Sequence, residues 1–323
     1  MKNSLTSFKK IYKQDMVNLR IQDLQNDIRV NFYIGELLYN ININDDLVRP
    51  RKFIWDCIRQ NKPIRKSSIY EFSLLKKLRK YNLTNNKLMY HFGDIQDVVY
   101  NNFYSLMKNR PRETPNDGVL LRCLDFRRHW GNYYNRPDDI DFEQKRNAVI
   151  WRGVTTGSEN NPGNRFDLVK KWFKKNPSIN VGFSAIVQNK EKYKKYVLNN
   201  VDISNLLKYK YILSVEGNDK DSGLQWKLNS NSVVFMTKPR ITTWLMETTL
   251  VPNYHYVLLK DDYSDLEEKL DWCNQNQDKC LNINQNARRF MEQFKDSENE
   301  EKIEEKVLKK YFKLLNESVK ASL

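Results

Sequence analysis

Apolar runs alternate with amphipathic segments through the second half of the chain, most clearly between Lys208 and Trp272. Three apolar runs predict strands, at 211–215, 232–236 and 255–259. Segments with helical spacing of apolar positions lie between or after them, at 224–230, 242–250 and 264–274. Strands that alternate with helices indicate parallel pairing, because a parallel pair needs a crossover and a helix usually supplies it. Ligands of open parallel sheets bind beyond the carboxyl ends of the strands, so the polar turn Glu216–Asp219 is a predicted ligand site.

The same alternation predicts further elements before and after this stretch. Short apolar runs indicate strands at 87–92, 118–124, 148–152 and 179–184, and helical spacing indicates helices at 69–81, 166–175, 190–198, 284–294 and 298–315. Residues 1–80 are predicted to be mostly helical. Ser264 and Glu267 have the spacing of a capping box at a helix start. The polar segment 136–145 is predicted to be a linker, which places a domain boundary near residue 145.

One loop is rich in glycine and threonine and lies between a predicted strand and a predicted helix. It reads GVTTGSENNPGNR from Gly153 to Arg165. A strand, such a loop and a helix together offer backbone N–H groups and a helix N-terminus to a phosphate. The loop matches neither GxxxxGK[ST] nor GxGxxG, so a plain surface loop fits the pattern equally well.

Composition narrows the class of protein. The chain has 323 residues, 40% of them hydrophobic, and a formal net charge of +15. Residues 1–80 hold 17 Lys and Arg against 8 Asp and Glu, so this quarter carries +9. Such a charge favours an anionic partner, whether nucleic acid, a membrane surface or a phosphorylated ligand. The four cysteines have no metal-ligand spacing and indicate free thiols in a reducing compartment. The N-terminus lacks the apolar segment of a signal peptide, so a cytoplasmic location is expected.

Several spaced motifs together resemble the family 90 glycosyltransferases, which include lipopolysaccharide-modifying, capsule-associated and Rumi-type protein O-glucosyltransferases. They are RHWG at 128–131, WRGVTTG at 151–157, KYKYILSVEGND from Lys208, LQWKLNSNSVVF from Leu224 and WLMETTLVPNYHYV from Trp244. The resemblance covers roughly residues 85–290 and is weak before residue 80. It implies a GT-B fold, with two Rossmann-like domains facing a cleft and additional terminal helices. The expected division is 1–145 (acceptor side), 146–290 (nucleotide-sugar side) and 291–323, a helix packing back on the first domain.

The resemblance also implies an inverting transfer from a nucleotide sugar, usually a UDP-sugar, to a hydroxyl of a surface glycan or lipid-linked acceptor. No bound cofactor is required, and dependence on a divalent metal is left open. Such a transfer needs a general base for the acceptor proton and cations or N–H dipoles for the departing diphosphate. Asp94 occupies the family's position for the base, after an early strand. Asp125 is the rival, although Arg127 and Arg128 beside it would weaken a base by favouring its charged form.

The remaining roles follow from the same motif matches. The expected nucleotide-sugar-binding residues are Arg152, Gly153, Thr155, Thr156, Gly157, Glu216, Gly217, Asn218, Asp219, Ser222, Trp226, Lys227 and Glu247. The expected acceptor-side residues are Arg128, His129 and Trp130. Lys227 stands where other members have Arg or Lys, and a lysine acts on phosphate as a point charge without the two-pronged contact of an arginine.

Two other functions remain open at the level of sequence. A basic, aromatic-rich chain fits a nucleic-acid-binding protein, although no RNP, KH, helix-turn-helix or zinc motif is present. A sugar-binding relative without activity would carry the same motifs. For the enzyme, the basic N-terminal quarter predicts peripheral association with the anionic inner face of a membrane.

Overall fold

The computed structural model describes residues 26–35, 69–84, 88–94, 105–113, 118–122 and 129–321. The described helices are α1 (Asn26–Ile34), α2 (Ile69–Lys80), α3 (Gly131–Tyr134), α4 (Arg165–Trp172), α5 (Ile203–Leu206), α6 (Leu224–Leu228), α7 (Leu266–Gln275), α8 (Gln277–Glu292) and α9 (Ser297–Ala321). Three 3-10 turns lie at Phe142–Gln144, Glu191–Tyr196 and Glu247–Thr249.

A five-stranded, wholly parallel sheet forms the centre of the second half of the chain. Its strands are β5 (Arg146–Val154), β6 (Ile179–Ala185), β7 (Tyr209–Leu213), β8 (Val233–Met236) and β10 (Val257–Leu258). Their spatial order is β6-β5-β7-β8-β10. The second strand in sequence therefore lies outside the first, and the later strands extend the sheet in the other direction. This is a doubly wound sheet, as the alternation of strands and helices predicts.

Burial on both faces explains why the centre of each strand is rich in consecutive apolar residues. On β5, Val149 and Trp151 contact one core, together with α4 residues such as Phe166. Ile150 points to the opposite face and packs against Leu206 and other residues of a second cluster. Side chains of a strand alternate between faces, so a single run of hydrophobic residues serves two packing layers.

A second parallel sheet precedes the polar linker. It consists of β1 (Met89–His91), β2 (Ser105–Met107) and β4 (Val119–Leu120), in the order β1-β2-β4. A two-stranded antiparallel ribbon joins the two halves of the chain, because β3 (Asn109–Pro111) pairs with β9 (Ile241–Thr243). The structure is thus a mixed α/β fold with parallel sheets covered by helices. The division of the chain into domains at 145 and 290 stays a prediction.

The long C-terminal helix α9 contacts both N-terminal helices of the described chain. Glu300 pairs with Arg29 of α1, and Glu304 and Glu301 pair with Lys77 and Lys80 of α2. Apolar side chains of α9, including Ile303 and Tyr311, lie in one core with residues of α1, α2 and α8. The three carboxylates lie within five positions of a single helix, so charge pairing and apolar burial act on the same interface.

Most elements predicted from periodicity are confirmed, with ends shifted by a few residues. The predicted helix at 242–250 is wrong: the chain forms β9, a left-handed residue at Met246 (φ 61°) and a 3-10 turn. The buried carboxylate of Glu247 stabilises this turn because it accepts hydrogen bonds from the Thr243 N–H and hydroxyl. The predicted helix at 190–198 is a 3-10 turn.

The predicted capping box is also wrong. Helix α7 begins after Asp265, which caps it without a side-chain hydrogen bond to the helix. The Asp265 carboxylate accepts from Lys260 N, and Asp262 accepts from Ser264 N. The aspartates therefore fold the preceding turn, and Ser264 does not act as the cap.

Candidate active site

The sheet topology marks one crevice. The connection from β5 leads to β6 on one side, while β7 and the strands after it lie on the other. The connections that follow β5 and β7 therefore lead to opposite sides of the sheet. Ligands of doubly wound sheets bind in the crevice between two such loops. These two loops are 155–164 and 214–223, and they contain most of the residues predicted to bind the nucleotide sugar.

The two loops touch through glycine. Gly157 has φ +101°, and a Cβ there would lie 3.0 Å from the carbonyl carbon and oxygen of Gly217. A Cβ on Gly217 would in turn lie 2.6 Å from the hydroxyl of Thr156. Real Cβ atoms do not approach other atoms that closely, and only glycine adopts such a φ without strain. The sequence therefore needs glycine at both positions for the loops to meet.

Arg165 ties the same loops together. Its guanidinium donates to the carbonyl oxygens of Val154, Val215 and Glu216, and to the hydroxyl of Thr156. Burial lowers the pKa of Arg165, but Asp221, Tyr263 and Glu216 act against that shift. All four contacts are internal, so this arginine braces the site. The motif search did not select it, although it closes the glycine-rich loop in the sequence.

Asn218 connects the loop pair to the other sheet. Its Oδ1 accepts from Gly157 N at 2.7 Å, and its Nδ2 approaches Asp94 Oδ2 at 3.4 Å. Asp94 follows β1 of the three-stranded sheet. Its side chain is 38% exposed, so the carboxylate is open to a substrate. The candidate base and the predicted donor-binding turn thus lie side by side across the two sheets.

Lys108 completes this junction. Its ammonium pairs with the Asp94 carboxylate and lies 3.3 Å from Asp219 Oδ2, while the side chain is only 10% exposed. The ammonium also lies 5.5 Å from the centroid of the Tyr70 ring. Burial alone would lower the pKa of Lys108, but Asp219 and Asp94 outweigh it, so the pKa is raised and the group stays charged. No sequence motif singled out Lys108.

Several predicted phosphate donors are engaged inside the loops. The Thr155 hydroxyl donates to Val187 O and accepts from Val187 N, and Gly157 N is held by Asn218. At the start of α4, Asn164 Oδ1 accepts from the N–H groups of Phe166 and Asp167. The asparagine cap and the acidic Asp167 in the first turn therefore already occupy this helix N-terminus.

The structure does not bring the two predicted cations, Arg152 and Lys227, to the loop surface. Arg152 lies along its strand and donates to the carbonyl oxygens of Trp151, Asn180 and Asn199 and to the Asn180 side chain. Lys227 donates to Leu213 O and to the Asp221 carboxylate. Both cations are satisfied by the fold, so a phosphate role for either rests on the motif match alone.

Glu216 supports a neighbouring loop. Its carboxylate accepts from the N–H groups of Arg240 and Ile241, and Arg240 Nε lies 3.0 Å from Oε2. Burial raises the pKa of Glu216 to about 7, although Arg240 and the two N–H groups act in the opposite direction. Glu216 therefore fixes the chain after β8 against the loop that follows β7.

Glu247 is buried and has two partners. Besides Thr243, it faces the ammonium of Lys220, which lies 3.4 Å from Oε1. A ribose-binding role would require the carboxylate to be accessible, and Glu247 is 1% exposed. Its position instead links the 3-10 turn to Lys220, a cation directly after Asp219 that the sequence analysis did not select.

The aromatic candidates belong to the core. Trp226 packs with Ile150 and Ile212 beneath the sheet, and Trp130 packs against Tyr133 and Phe294. Both indoles are buried, so this packing does not favour a stacking role for Trp226 or an acceptor contact for Trp130, and both roles stay predictions.

Three other candidates are described by the structure, and two are not. Gly153 lies under the Trp151 ring, Ser222 is exposed in the loop after β7, and His129 is partly buried. Asp125 and Arg128 lie outside the described residues.

Fold and site together define an α/β protein with a ligand-binding junction between two parallel sheets. Comparisons with known proteins identify the protein family. The family model for glycosyl transferase family 90 matches residues 130–322, which is more than half of the chain. A protein of Dichelobacter nodosus named O-glucosyltransferase LpsA is 34% identical over 253 residues, covering 78% of this chain and 75% of the relative. The chain belongs to glycosyl transferase family 90 and is a glycosyltransferase.

Viral proteins share part of the sequence. The uncharacterized protein 179R of Invertebrate iridescent virus 6 is 34% identical over 93 residues, which are 27% of this chain and 8% of the relative. The uncharacterized protein 035R of Invertebrate iridescent virus 3 is 32% identical over 92 residues, or 28% of this chain and 8% of that protein. In both cases the similarity is confined to a short part of a much longer protein.

Proposed function

We propose that the enzyme is an inverting glycosyltransferase of GT-B architecture that transfers a sugar from a UDP-sugar to a hydroxyl of a surface glycan or lipopolysaccharide-type acceptor. The observation that carries this proposal is the junction of Asp94, Lys108, Asn218 and Asp219, where the two sheets meet. A carboxylate that is open to solvent faces the loop pair at which doubly wound sheets bind nucleotides.

The chemistry assigns a role to each side of the junction. The acceptor oxygen attacks the anomeric carbon, the bond from that carbon to the phosphate oxygen breaks, and the nucleoside diphosphate departs. Asp94 takes the acceptor proton, which is general-base catalysis. A single displacement of this kind inverts the anomeric configuration. Lys108 lies beside Asp219 in the loop after β7, and Lys220 belongs to that loop, so both bring positive charge that favours an anionic leaving group there.

The donor sugar and the metal requirement need direct tests. The Dichelobacter relative is named an O-glucosyltransferase, so glucose is the first donor sugar to examine. Among the residues that the structure describes, no group of three or more His, Cys, Asp or Glu side chains is placed to hold a metal ion. Metal dependence stays an open prediction, which assays with and without a chelator decide.

A donor screen tests the proposal. Released UDP is measured for UDP-glucose and other UDP-sugars in the presence of glycan or lipid-linked acceptors. Asp94→Asn keeps the shape of the side chain but cannot take a proton, so kcat should fall by about 10²–10⁴-fold. Binding of UDP, measured by calorimetry, should persist. The matched control is Asp141→Asn, an exposed aspartate just before β5, at the opposite end of that strand from the loops.

The outcomes separate the parts of the proposal. Turnover of the Asp94→Asn enzyme at the rate of the unchanged protein would remove Asp94 from the base role and turn attention to Asp125. Release of a nucleotide other than UDP, with no UDP formed from any donor, would overturn the donor class while leaving the enzyme assignment intact.

The family assignment favours this enzyme over the nucleic-acid-binding alternative. No helix among the described residues is long and apolar enough to cross a membrane.

A further inference from the structure

One stretch in the second half of the chain is strongly basic, and lysine is its only cationic residue type. Between residues 170 and 195 there are eight lysines, one glutamate and no arginine or aspartate, which gives a net charge of +7 in 26 residues. The whole chain carries +15. We call the surface formed by these side chains the lysine face. Its members are Lys170, Lys171, Lys174, Lys175, Lys190, Lys192, Lys194 and Lys195.

Aromatic packing brings the lysines together along the β6 edge of the sheet. Phe173, after α4, and Tyr196, in the 3-10 turn, meet edge to face with centroids 5.3 Å apart. Lys174 lies over the first ring at 5.3 Å and Lys195 over the second at 5.1 Å. Residues about 20 positions apart in sequence thereby share one surface.

A third ring joins the other end of the face. The ammonium groups of Lys170 and Lys192 lie 5.6 and 5.2 Å from the centroid of the Tyr193 ring. Tyr193 is buried against Phe166 of α4 and Phe183 of β6, so the platform under the lysines is rigid. The ring of Tyr193 therefore places Lys170 and Lys192 on the same surface.

Much of this charge is not neutralised. Lys190 and Lys192 share Glu159, Lys171 pairs with Asp262, and Lys170 lies 3.7 Å from Asp167, so four of the eight lysines have a carboxylate partner. Lys174, Lys175, Lys194 and Lys195 are exposed, and none of the four forms an ion pair with a carboxylate in the described part of the chain.

Helix α9 shows the contrast with an ordinary solvated surface. It carries six lysines and six glutamates and has no net charge. Lys309 and Lys313 pair with Glu305 and Glu317 one turn away, and Lys306 pairs with Asp27 of α1. A solvent-facing surface of this chain can therefore mix positive and negative side chains. The lysine face differs because it carries almost only positive ones.

We propose that the lysine face docks the enzyme on an anionic phospholipid surface. Lysine side chains act as diffuse point charges, whereas recognition of nucleic-acid phosphates and bases favours the planar fork of arginine. Attraction to anionic headgroups sums over several cations and needs no pocket. The indole of Trp172 donates to Tyr263 O and is partly buried, so the contact is electrostatic without insertion of that ring.

The same face is connected to the candidate active site. Glu159, in the loop after β5, accepts hydrogen bonds from Tyr193, Lys190 and Lys192. Burial would raise the pKa of Glu159, but these three partners lower it to about 2. The loop that contains Gly157 is thus anchored to the lysine face. A docked enzyme would hold its loop pair close to the headgroups, where a lipid-linked acceptor lies.

Vesicle co-sedimentation tests the proposal. The full chain is mixed with vesicles of phosphatidylcholine containing phosphatidylglycerol, and with vesicles of phosphatidylcholine alone. We expect binding to the anionic vesicles only, with loss of binding as salt is raised. The face variant replaces Lys174, Lys175, Lys194 and Lys195 by glutamine. Each lysine near an anionic surface changes partitioning by about fivefold, so this variant should lose at least tenfold.

A charge-matched variant keeps the test specific. It replaces four exposed lysines at the C-terminal end of the chain by glutamine: Lys295, Lys302, Lys309 and Lys313. This variant has the same net charge as the face variant and should bind vesicles within about twofold of the unchanged protein, since these lysines lie in a neutral helix region. Calorimetric binding of UDP by both variants shows that they are folded.

Three results would overturn the proposal. Equal losses in both variants would show that only net charge matters. Undiminished vesicle binding by the face variant would place the membrane contact elsewhere, with the basic residues 1–80 as the next surface to test. Tighter retention of the unchanged protein on single-stranded oligonucleotides than on anionic vesicles at the same salt would make the lysine face a nucleic-acid surface instead.

Discussion

Two neighbouring glutamates on α9 give a sharp test of how the C-terminal helix is held. The Glu300 carboxylate accepts from both terminal nitrogens of Arg29 and from the indole N–H of Trp244. The side chains of Arg29 and Glu300 are 2% and 1% exposed. The next residue, Glu301, pairs with Lys80, and these side chains are 47% and 55% exposed. Glu300→Gln and Glu301→Gln therefore make the same chemical change in two environments.

The expected costs differ by several kcal/mol. Glu300→Gln leaves the buried guanidinium of Arg29 without its counter-charge and turns an N–H₂ group toward donors. Breaking a buried pair on one side costs about 3–5 kcal/mol. Glu301→Gln breaks a solvated pair, which contributes about 0–1 kcal/mol. Total stabilities of domains are about 5–15 kcal/mol, so the first change removes a large fraction and the second is barely measurable.

Denaturant unfolding followed by tryptophan fluorescence measures the difference, because Trp244 reports on the same interface. We expect the Glu300→Gln midpoint to fall well below that of the unchanged protein at unchanged slope, with Glu301→Gln close to it. Similar small shifts for both variants would refute the claim that the Arg29–Glu300–Trp244 network holds the helix. The apolar contacts of Ile303 and Tyr311 would then carry the interface alone.

Three further predictions concern the loops and the junction. Gly157→Ala should weaken UDP binding and cost about 1–3 kcal/mol, because alanine at φ +101° is strained and its Cβ meets Gly217; Gly131→Ala, where φ is not positive, is the control, and equal UDP affinity in both would contradict the loop contact. Lys108→Met should lower kcat, because the departing diphosphate loses a nearby cation. It should also move the acid limb of the pH–rate profile to higher pH, because the Asp94 carboxylate loses the cation that favours its charged form. An unmoved limb would show that Lys108 does not act on the base. Burial raises the pKa of Glu216 from its ordinary value of 4.5 to about 7, so the folded state keeps a proton that the unfolded chain releases. The free energy of unfolding should therefore fall by a few kcal/mol as pH rises from about 4.5 to about 7, and Glu216→Gln should remove that slope; an unchanged slope would assign it to another group.

The hydrophobic pattern predicted the central sheet because its strands are buried on both faces. The run of β8, VVFM, contains no polar residue, and Lys210 is the only polar residue in β7, YKYIL, apart from its tyrosines. The loops after β5 and β7 were predicted as the ligand site for the same reason, since parallel strands direct their carboxyl ends to one edge. The hydrophobic pattern at 242–250 wrongly predicted a helix. A buried strand followed by a turn can also place apolar residues three and four positions apart, as a helix does.

The junction itself was only half predictable. Asp94 and Asn218 were selected separately by motif, and they are 124 positions apart, so nothing local in the sequence shows that they touch. Lys108 belongs to no motif, and its role emerges only because β1 and β2 are parallel neighbours that bring it to Asp94. Arg152 and Lys227 fit the motif, but both donate hydrogen bonds to main-chain carbonyl groups. A sequence pattern does not reveal such contacts.

A chain of contacts makes α9 part of the site's support. Glu300 holds the Trp244 indole, while Tyr33 stacks on that ring at 3.7 Å and donates to Trp244 O. The adjacent Thr243 binds Glu247, and Glu247 faces Lys220, the residue that follows Asp219 at the junction. Each step is a buried contact with little room for rearrangement. Loss of α9 should therefore lower activity by loosening the 3-10 turn and Lys220, although no residue of that helix lies among those proposed to touch the donor.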